Sequence, residues 1–164
     1  MADKVNFRQF KRSKPKLQPG DIFSYSYAKD EYRFGRIVLA DHQSGPMPGA
    51  DLIYFYRQST TRPVPDRREM KITDLLIEPV WTNRQGWTRG YFLHVAPSTF
   101  EANELPDIHC FHSNVFGGKF LDQNRHFLAE KTEPCGEWML VSYRWVDDRL
   151  SDALGIPRAS DELR

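Results

Sequence analysis

The chain has 164 residues, the size of one domain and enough to bury a core without disulfides or metal, and its 40% hydrophobic and 13% aromatic content is that of a globular rather than a disordered protein. No apolar run approaches the ~18 residues of a membrane span, and the first 17 residues lack the apolar centre of a secretory signal, which predicts a cytoplasmic protein with Cys110 and Cys135 as free thiols. The net charge of +1 hides an asymmetry: residues 1–20 carry Lys4, Arg8, Lys11, Arg12, Lys14 and Lys16 against Asp3, a net +5, leaving −4 on the remainder. A basic N-terminal arm, 1–18, is therefore expected ahead of a single domain, 19–164. Clustered cations suit phosphates, although short like-charge runs commonly only solubilise. Val5, Phe7 and Phe10 offer a means of pinning the arm to the body.

A first strand is predicted over 21–28, where Phe23, Tyr25 and Tyr27 alternate with Ile22, Ser24 and Ser26 at the period that sends successive side chains to opposite faces. Lys29-Asp30-Glu31 makes a polar turn into a second strand, 32–40, and completes a hairpin. After the Gly- and Pro-rich loop 45–49, residues 52–56 are apolar on both faces, as in a central strand covered on both sides. The stretch 60–68, with Pro63 and Pro65, reads as a loop. Residues 70–77 fit a short helix or the start of a strand, and Pro79 bars a long helix.

Further strands are expected at 81–84 and 86–95 around a polar turn, the second carrying Arg89, Tyr91, Leu93 and Val95 on one face. Candidates at 108–113 and 119–126 flank Gly117-Gly118. A last strand, 137–145, should lead to a short helix capped by Asp147 or Asp148 and stopped by Gly155 and Pro157. The sum is an α+β domain, a mainly antiparallel, strongly twisted sheet or partly closed barrel with one or two short helices.

His109-Cys110-Phe111-His112 is the one cluster of metal-ligand types. On a strand Cys110 and His112 face one way and His109 the other, and Cys135 and His126 would have to complete four ligands from elsewhere. Paired Cys-x-x-Cys spacing is absent, so no metal and no cofactor is expected. A nucleophilic thiol would pair Cys110 with His112 or His94, but no helix start follows Cys110 to lower its pKa. Asp30-Glu31 and Asp147-Asp148 fit a turn and a helix start, and no phosphate-cradling glycine pattern occurs. No catalytic residue is predicted. Trp81, Arg84, Trp87 and Arg89 crowd one turn. Trp and Arg dominate binding hot spots, whereas a core role is favoured for Trp87 and Gly90, with Arg84 left exposed.

Four separated stretches, in order, resemble the immunity protein 26 family of bacterial immunity proteins: Pro19-Gly20-Asp21-Ile22-Phe23, Tyr32-Arg33-Phe34-Gly35-Arg36-Ile37, Gly86-Trp87-Thr88-Arg89-Gly90-Tyr91-Phe92, and Asp147-Asp148-Arg149-Leu150-Ser151-Asp152-Ala153-Leu154-Gly155-Ile156-Pro157. The resemblance spans roughly residues 17–157. The resemblance implies a protein that binds the C-terminal toxic domain of a polymorphic or contact-dependent toxin and neutralises it by steric occlusion, without catalysis. Many such toxins are nucleases. The stretches are scaffold rather than contact residues, and the basic arm is outside the pattern.

A nuclease presents a basic cleft, which acidic groups approach faster and imitate. Candidate toxin-binding residues are therefore Asp30 and Glu31 at the hairpin tip, Glu101, Glu104 and Asp107 ahead of Ile108, the aromatics Tyr25, Tyr27 and Tyr32, and Arg84. The main rival is a small nucleic-acid-binding module that stacks bases on Tyr25, Tyr27 and Tyr32 and meets phosphates with the arm. The acidic body opposes it, so nucleic acid is the less favoured partner. A thiol enzyme built on Cys110 stands last. No membrane partner is expected, and the sequence leaves monomer and homodimer open.

Overall fold

The computed structural model describes residues 4–159, so residues 1–3 of the predicted arm and 160–164 of the predicted domain lie outside it. Among the described residues ten strands form two sheets. The larger has the order β10-β4-β3-β2-β1-β5, from β1 (Ile22–Tyr25), β2 (Tyr32–His42), β3 (Ala50–Thr60), β4 (Val80–Thr82), β5 (Leu93–Ala96) and β10 (Leu140–Val141). The smaller has the order β8-β7-β6-β9, from β6 (Cys110–Ser113), β7 (Lys119–Leu121), β8 (Phe127–Leu128) and β9 (Cys135–Glu137). Pairing is antiparallel except at β10–β4 and β6–β9. The fold is α+β as expected, and neither sheet closes into a barrel.

The position of β3 follows from its sequence. Ile53 and Phe55 point into one apolar cluster and Leu52, Tyr54 and Tyr56 into another, all fully buried. Alternation thus serves two cores at once, one on each face of the large sheet. The second face, with Phe34, Val38 and Trp81, is covered by the small sheet through Phe111, Leu121 and Trp138. The first face, with Phe23, Tyr25 and Ile37, is covered by Phe7 and Leu17 of the N-terminal segment, by Trp87, and by Tyr143, Val146 and Leu150 of a C-terminal helix. Each such side chain contributes about 1.5–3 kcal/mol on burial, which makes the middle sheet the thermodynamic centre of the domain.

Two predicted strands are overturned. Residues 86–95 do not run extended: Gln85–Thr88 is a single helical turn, α1, and only Leu93–Ala96 joins the sheet. The backbone N–H groups of Trp87 and Thr88 donate to the Arg84 carbonyl, and Gly90 at φ +84 breaks the run. A side chain at Gly90 would also meet the Phe10 carbonyl at 2.8 Å. This turn lowers Trp87 into the core, edge-on to Phe23 at 5.1 Å and Phe92 at 5.0 Å.

The predicted strand 137–145 divides into the last residue of β9, all of β10 and the start of helix α2, Tyr143–Leu154. Ser142, not Asp147 or Asp148, is the cap, its Oγ accepting from the Trp145 N–H at 3.2 Å. The buried face Tyr143, Val146, Asp147, Leu150 and Ser151 has helical spacing, and Gly155 at φ 69 ends the helix as expected. Smaller differences are that β1 stops at Tyr25, that 119–126 yields only β7, and that 70–77 holds one 3-10 turn, Ile72–Asp74, and a bridge from Leu75 to Tyr56.

Candidate interaction surface

The predicted arm, from residue 4 on, lies against the body. Asp147, buried inside α2, accepts from the backbone N–H groups of Asn6 at 2.8 Å and Phe7 at 3.1 Å. Arg8 N–H donates to Ser26 O at 2.9 Å, Phe10 N–H to Gly90 O at 2.6 Å and Ser13 N–H to Trp87 O at 3.1 Å. Phe7 sits among Tyr25, Tyr27, Tyr91 and Phe92. Lys4, Arg8, Lys11, Arg12, Lys14 and Lys16 all remain exposed on this clamped segment.

That packing occupies the aromatics singled out for binding. Tyr25 is fully buried, and burial pushes its phenol well above the ordinary range. Tyr27 stacks on Phe7 at 5.3 Å, and burial followed by the nearby Asp147 carboxylate pushes its phenol up strongly. Tyr32 stacks on Phe10 at 6.2 Å. Arg84 reaches back to the buried Asp51, Nε to Oδ2 2.9 Å, with 41% of its own side chain exposed.

The predicted acids separate into different roles. Asp30 is exposed at the hairpin tip, and Glu31 beside it pairs with Arg33 at 2.6 Å. Glu101 is exposed at the other end of the β1–β2 pair, in the loop whose Ser98, Thr99 and Glu104 are held by Arg36, and Asp107 is exposed further along that loop, beside Leu128 and Glu130. Glu104 is buried and structural: it accepts from Arg36 at 2.7 Å, Arg67 at 2.5 Å and the Glu101 N–H at 2.7 Å. Burial alone would raise its carboxyl, but the donors from Arg67, the Glu101 backbone and Arg36 outweigh that and hold it at about 2. Arg36 is itself fully buried and lies 4.0 Å from the Phe100 ring centre.

What the structure does assemble is a furrow between the 72–78 segment and the small sheet. Three recesses adjoin there, the one of about 480 Å³ sharing Pro106 and Glu133 with one of about 410 Å³ and Ile77 and Glu78 with one of about 180 Å³. Glu78, Asp107, Glu130, Glu133 and Glu137 line it, against Arg57, Lys131 and Arg149. Three of these acids already have a partner, Glu78 with Arg149 at 3.1 Å, Glu133 with Lys131 at 3.0 Å and Glu137 with the His112 ring at 3.5 Å. Of the predicted residues only Asp107 belongs to this furrow. The others come from turns near 78 and 130–137 that pack together from distant parts of the chain, and no local motif marks them. A second exposed patch joins Val115, Phe116 and Met139 beside Pro46, with Phe127 edge-on to Phe116 at 5.6 Å and Lys119 over Phe127.

The histidines and cysteines do not converge. His109 is buried with Nε2 2.5 Å from the Tyr54 hydroxyl, and burial lowers it to about 4. His112 faces Glu137 and His126 faces Asp122. Cys110 and Cys135 are free thiols whose sulfurs lie 2.8 Å apart, and burial first, then Cys110, pushes Cys135 up to about 12. Among the described residues no three His, Cys, Asp or Glu side chains gather as metal ligands, and no helix is long and apolar enough to cross a membrane.

With this geometry in place, comparison with known proteins puts the chain among the immunity proteins, a generally non-catalytic class. Residues 18–120, more than half the chain, match Immunity protein 26, and the chain belongs to that family. No curated protein and no solved structure matches it. The matched region holds β1 to β6 and the start of β7, whereas the clamped segment up to Leu17, the ending 147–157 and helix α2 lie outside it.

Proposed function

We propose that the chain is a cytoplasmic immunity protein that binds the toxic domain of a cognate bacterial toxin and neutralises it by covering it, without catalysis. The family match over 18–120 carries this reading. The acid-lined furrow supports the choice of surface, with Asp107, Glu130, Glu133 and Glu137 meeting a basic partner. Such an interface buries on the order of 1,200–2,000 Å² in total and takes its energy from a few well-packed anchors, while acids at the rim chiefly set the association rate. Asp30 and Glu31 at the hairpin tip form a second acidic group for the same partner, and Glu101, at the other end of the β1–β2 pair, stands apart from them.

The competing nucleic-acid reading keeps one favourable observation, the six exposed cations of the clamped segment. Its stacking rings, however, are taken by Phe7 and Phe10. One experiment separates the two. Tagged full-length chain is used to capture partners from nuclease-treated native lysate under a high-salt wash, with mass spectrometry of what is retained. Recovery of the C-terminal domain of a large secreted protein near one-to-one is expected. Loss of every protein partner, with nucleic acid bound only at low salt, would overturn the immunity reading. With the toxin domain in hand, Asp107→Lys with Glu133→Lys should slow association roughly tenfold or more in low salt, and an unchanged on-rate would remove the furrow from the interface.

A further inference from the structure

Cys110 and Cys135 are directly paired residues on the adjacent parallel strands β6 and β9. Neighbouring strands run about 4.8 Å apart, and a disulfide accepts Cα separations of roughly 4.4–6.8 Å, so the backbone already satisfies the bond. The sulfurs lie 2.8 Å apart, and closing to a bonded pair, about 2.04 Å, needs less than ~1 Å of motion. Cys110 is buried, while Cys135 is partly open and lines the furrow beside Lys131. The thiols thus differ in the way a two-step exchange requires: one reachable sulfur to be attacked first, and one enclosed sulfur in contact with it.

We propose that this pair is an oxidation site, at which a low-molecular-weight disulfide converts Cys110 and Cys135 into an intramolecular disulfide that bonds β9 to β6 and fixes one wall of the furrow. The Cys135 thiolate attacks one sulfur of the small disulfide, whose S–S bond breaks and releases one thiolate. The Cys110 sulfur then attacks the Cys135 sulfur of the mixed disulfide and releases the second. Two protein thiols are oxidised, one small disulfide is reduced to two thiols, and the two protons pass to the leaving groups. Without the bond, β9 is an edge strand held by a three-residue parallel pairing, Cys110 with Cys135, Phe111 with Gly136 and His112 with Glu137. Glu133 and Pro134, immediately before it, form part of the furrow. The inference is independent of which partner the furrow binds.

The test uses the folded full-length chain incubated with glutathione disulfide, followed by intact mass, peptide mapping and thermal melting. The expected product has lost two hydrogens, carries no glutathione, links Cys110 to Cys135, and melts roughly 5–10 °C higher than the reduced chain. Dithiothreitol should reverse every change. Formation should accelerate with pH, because the raised Cys135 thiol is ionised only in alkaline solution. Cys110→Ser should stop at a mixed disulfide on Cys135, and Cys135→Ser should show no melting shift. A wild-type chain that keeps both thiols, accumulates two glutathione adducts, or melts unchanged after linkage would overturn the proposal. The wild-type arm is decisive by itself should either variant fail to fold.

Discussion

Phe7→Ala separates a clamped N-terminal segment from a solvated arm. Phe7 is 5% exposed and packs on four rings at centroid distances of 5.3–6.1 Å. Transfer of the lost ring alone is worth about 1.5–3 kcal/mol. Complete removal of a core Phe costs about 3–5 kcal/mol where the cavity persists. The segment around it has no sheet partner along most of its length, so it can lift away and let water fill the gap, which limits the loss to about 2–4 kcal/mol. For a chain of this size that lowers the melting temperature by roughly 5–15 °C. Urea unfolding supplies the free energy, and limited trypsin digestion supplies the location: cuts after Lys4, Arg8 and Lys11 should be slow in the parent and fast in Phe7→Ala, ahead of any cut in the sheets. A loss under about 0.5 kcal/mol with unchanged digestion, the behaviour of a surface change, would refute the clamp.

Three buried residues give the further outcomes. Glu104→Gln keeps the shape but leaves the fully buried Arg36 without its counter-charge, so a loss of about 3–5 kcal/mol is expected in urea at pH 7; less than about 1 kcal/mol would contradict the network. With the Glu104 carboxyl held at about 2, its contribution is complete above the ordinary carboxylate range near 4.5 and disappears as pH falls toward 2, a slope Glu104→Gln should lack. His109, lowered from 6.5 to about 4 by burial, stays neutral in the fold while the unfolded chain takes up its proton, so stability should fall by up to roughly 3 kcal/mol between those two pH values, and the decline should be absent in His109→Gln. Gly35→Ala places a methyl 2.2 Å from the tip of the Phe23 ring, and a calorimetric loss of about 1–3 kcal/mol is expected; a neutral result would mean that Phe23 repacks freely.

Local pattern was enough for the parts of the fold that depend on it. The β1–β2 hairpin, the two-faced β3 and the glycine stop of α2 follow from alternation, apolar continuity and a left-handed C-cap. The sequence misleads where one stretch satisfies two periods. Trp138, Met139, Leu140, Val141, Tyr143 and Trp145 alternate well enough to suggest a single strand, yet Ser142 with the buried set 143, 146, 147, 150 carries the helical spacing that prevails. Trp87 and Arg89 sit in an aromatic run that looks extended, and only the positive φ at Gly90 and the contact with Phe10 reveal the turn.

The candidate surface was less legible because exposure is a long-range property. Nothing near Tyr27 or Tyr32 in the sequence shows that Phe7 and Phe10 cover them, and nothing near Glu104 shows that two arginines from distant elements enclose it. Asp107 was found because it stands in a polar loop, whereas Glu130 and Glu133 join it through the packing of the small sheet onto the 72–78 segment.

The bond between Asn6 and Asp147 joins residues 141 positions apart, and Asn6 also donates to Pro157 O at 2.7 Å. At ribosomal rates of about 5–20 residues per second, the first of these groups waits roughly 7–30 s for its counterpart to be synthesised. During that interval Phe7 lacks Tyr143, Val146 and Leu150 of the same cluster, and one side of the nascent sheet stays greasy and open. Helix α2 is therefore the element that seals the segment around Phe7, so a product stalled before residue 143 would leave that face of the sheet open to proteases and chaperones.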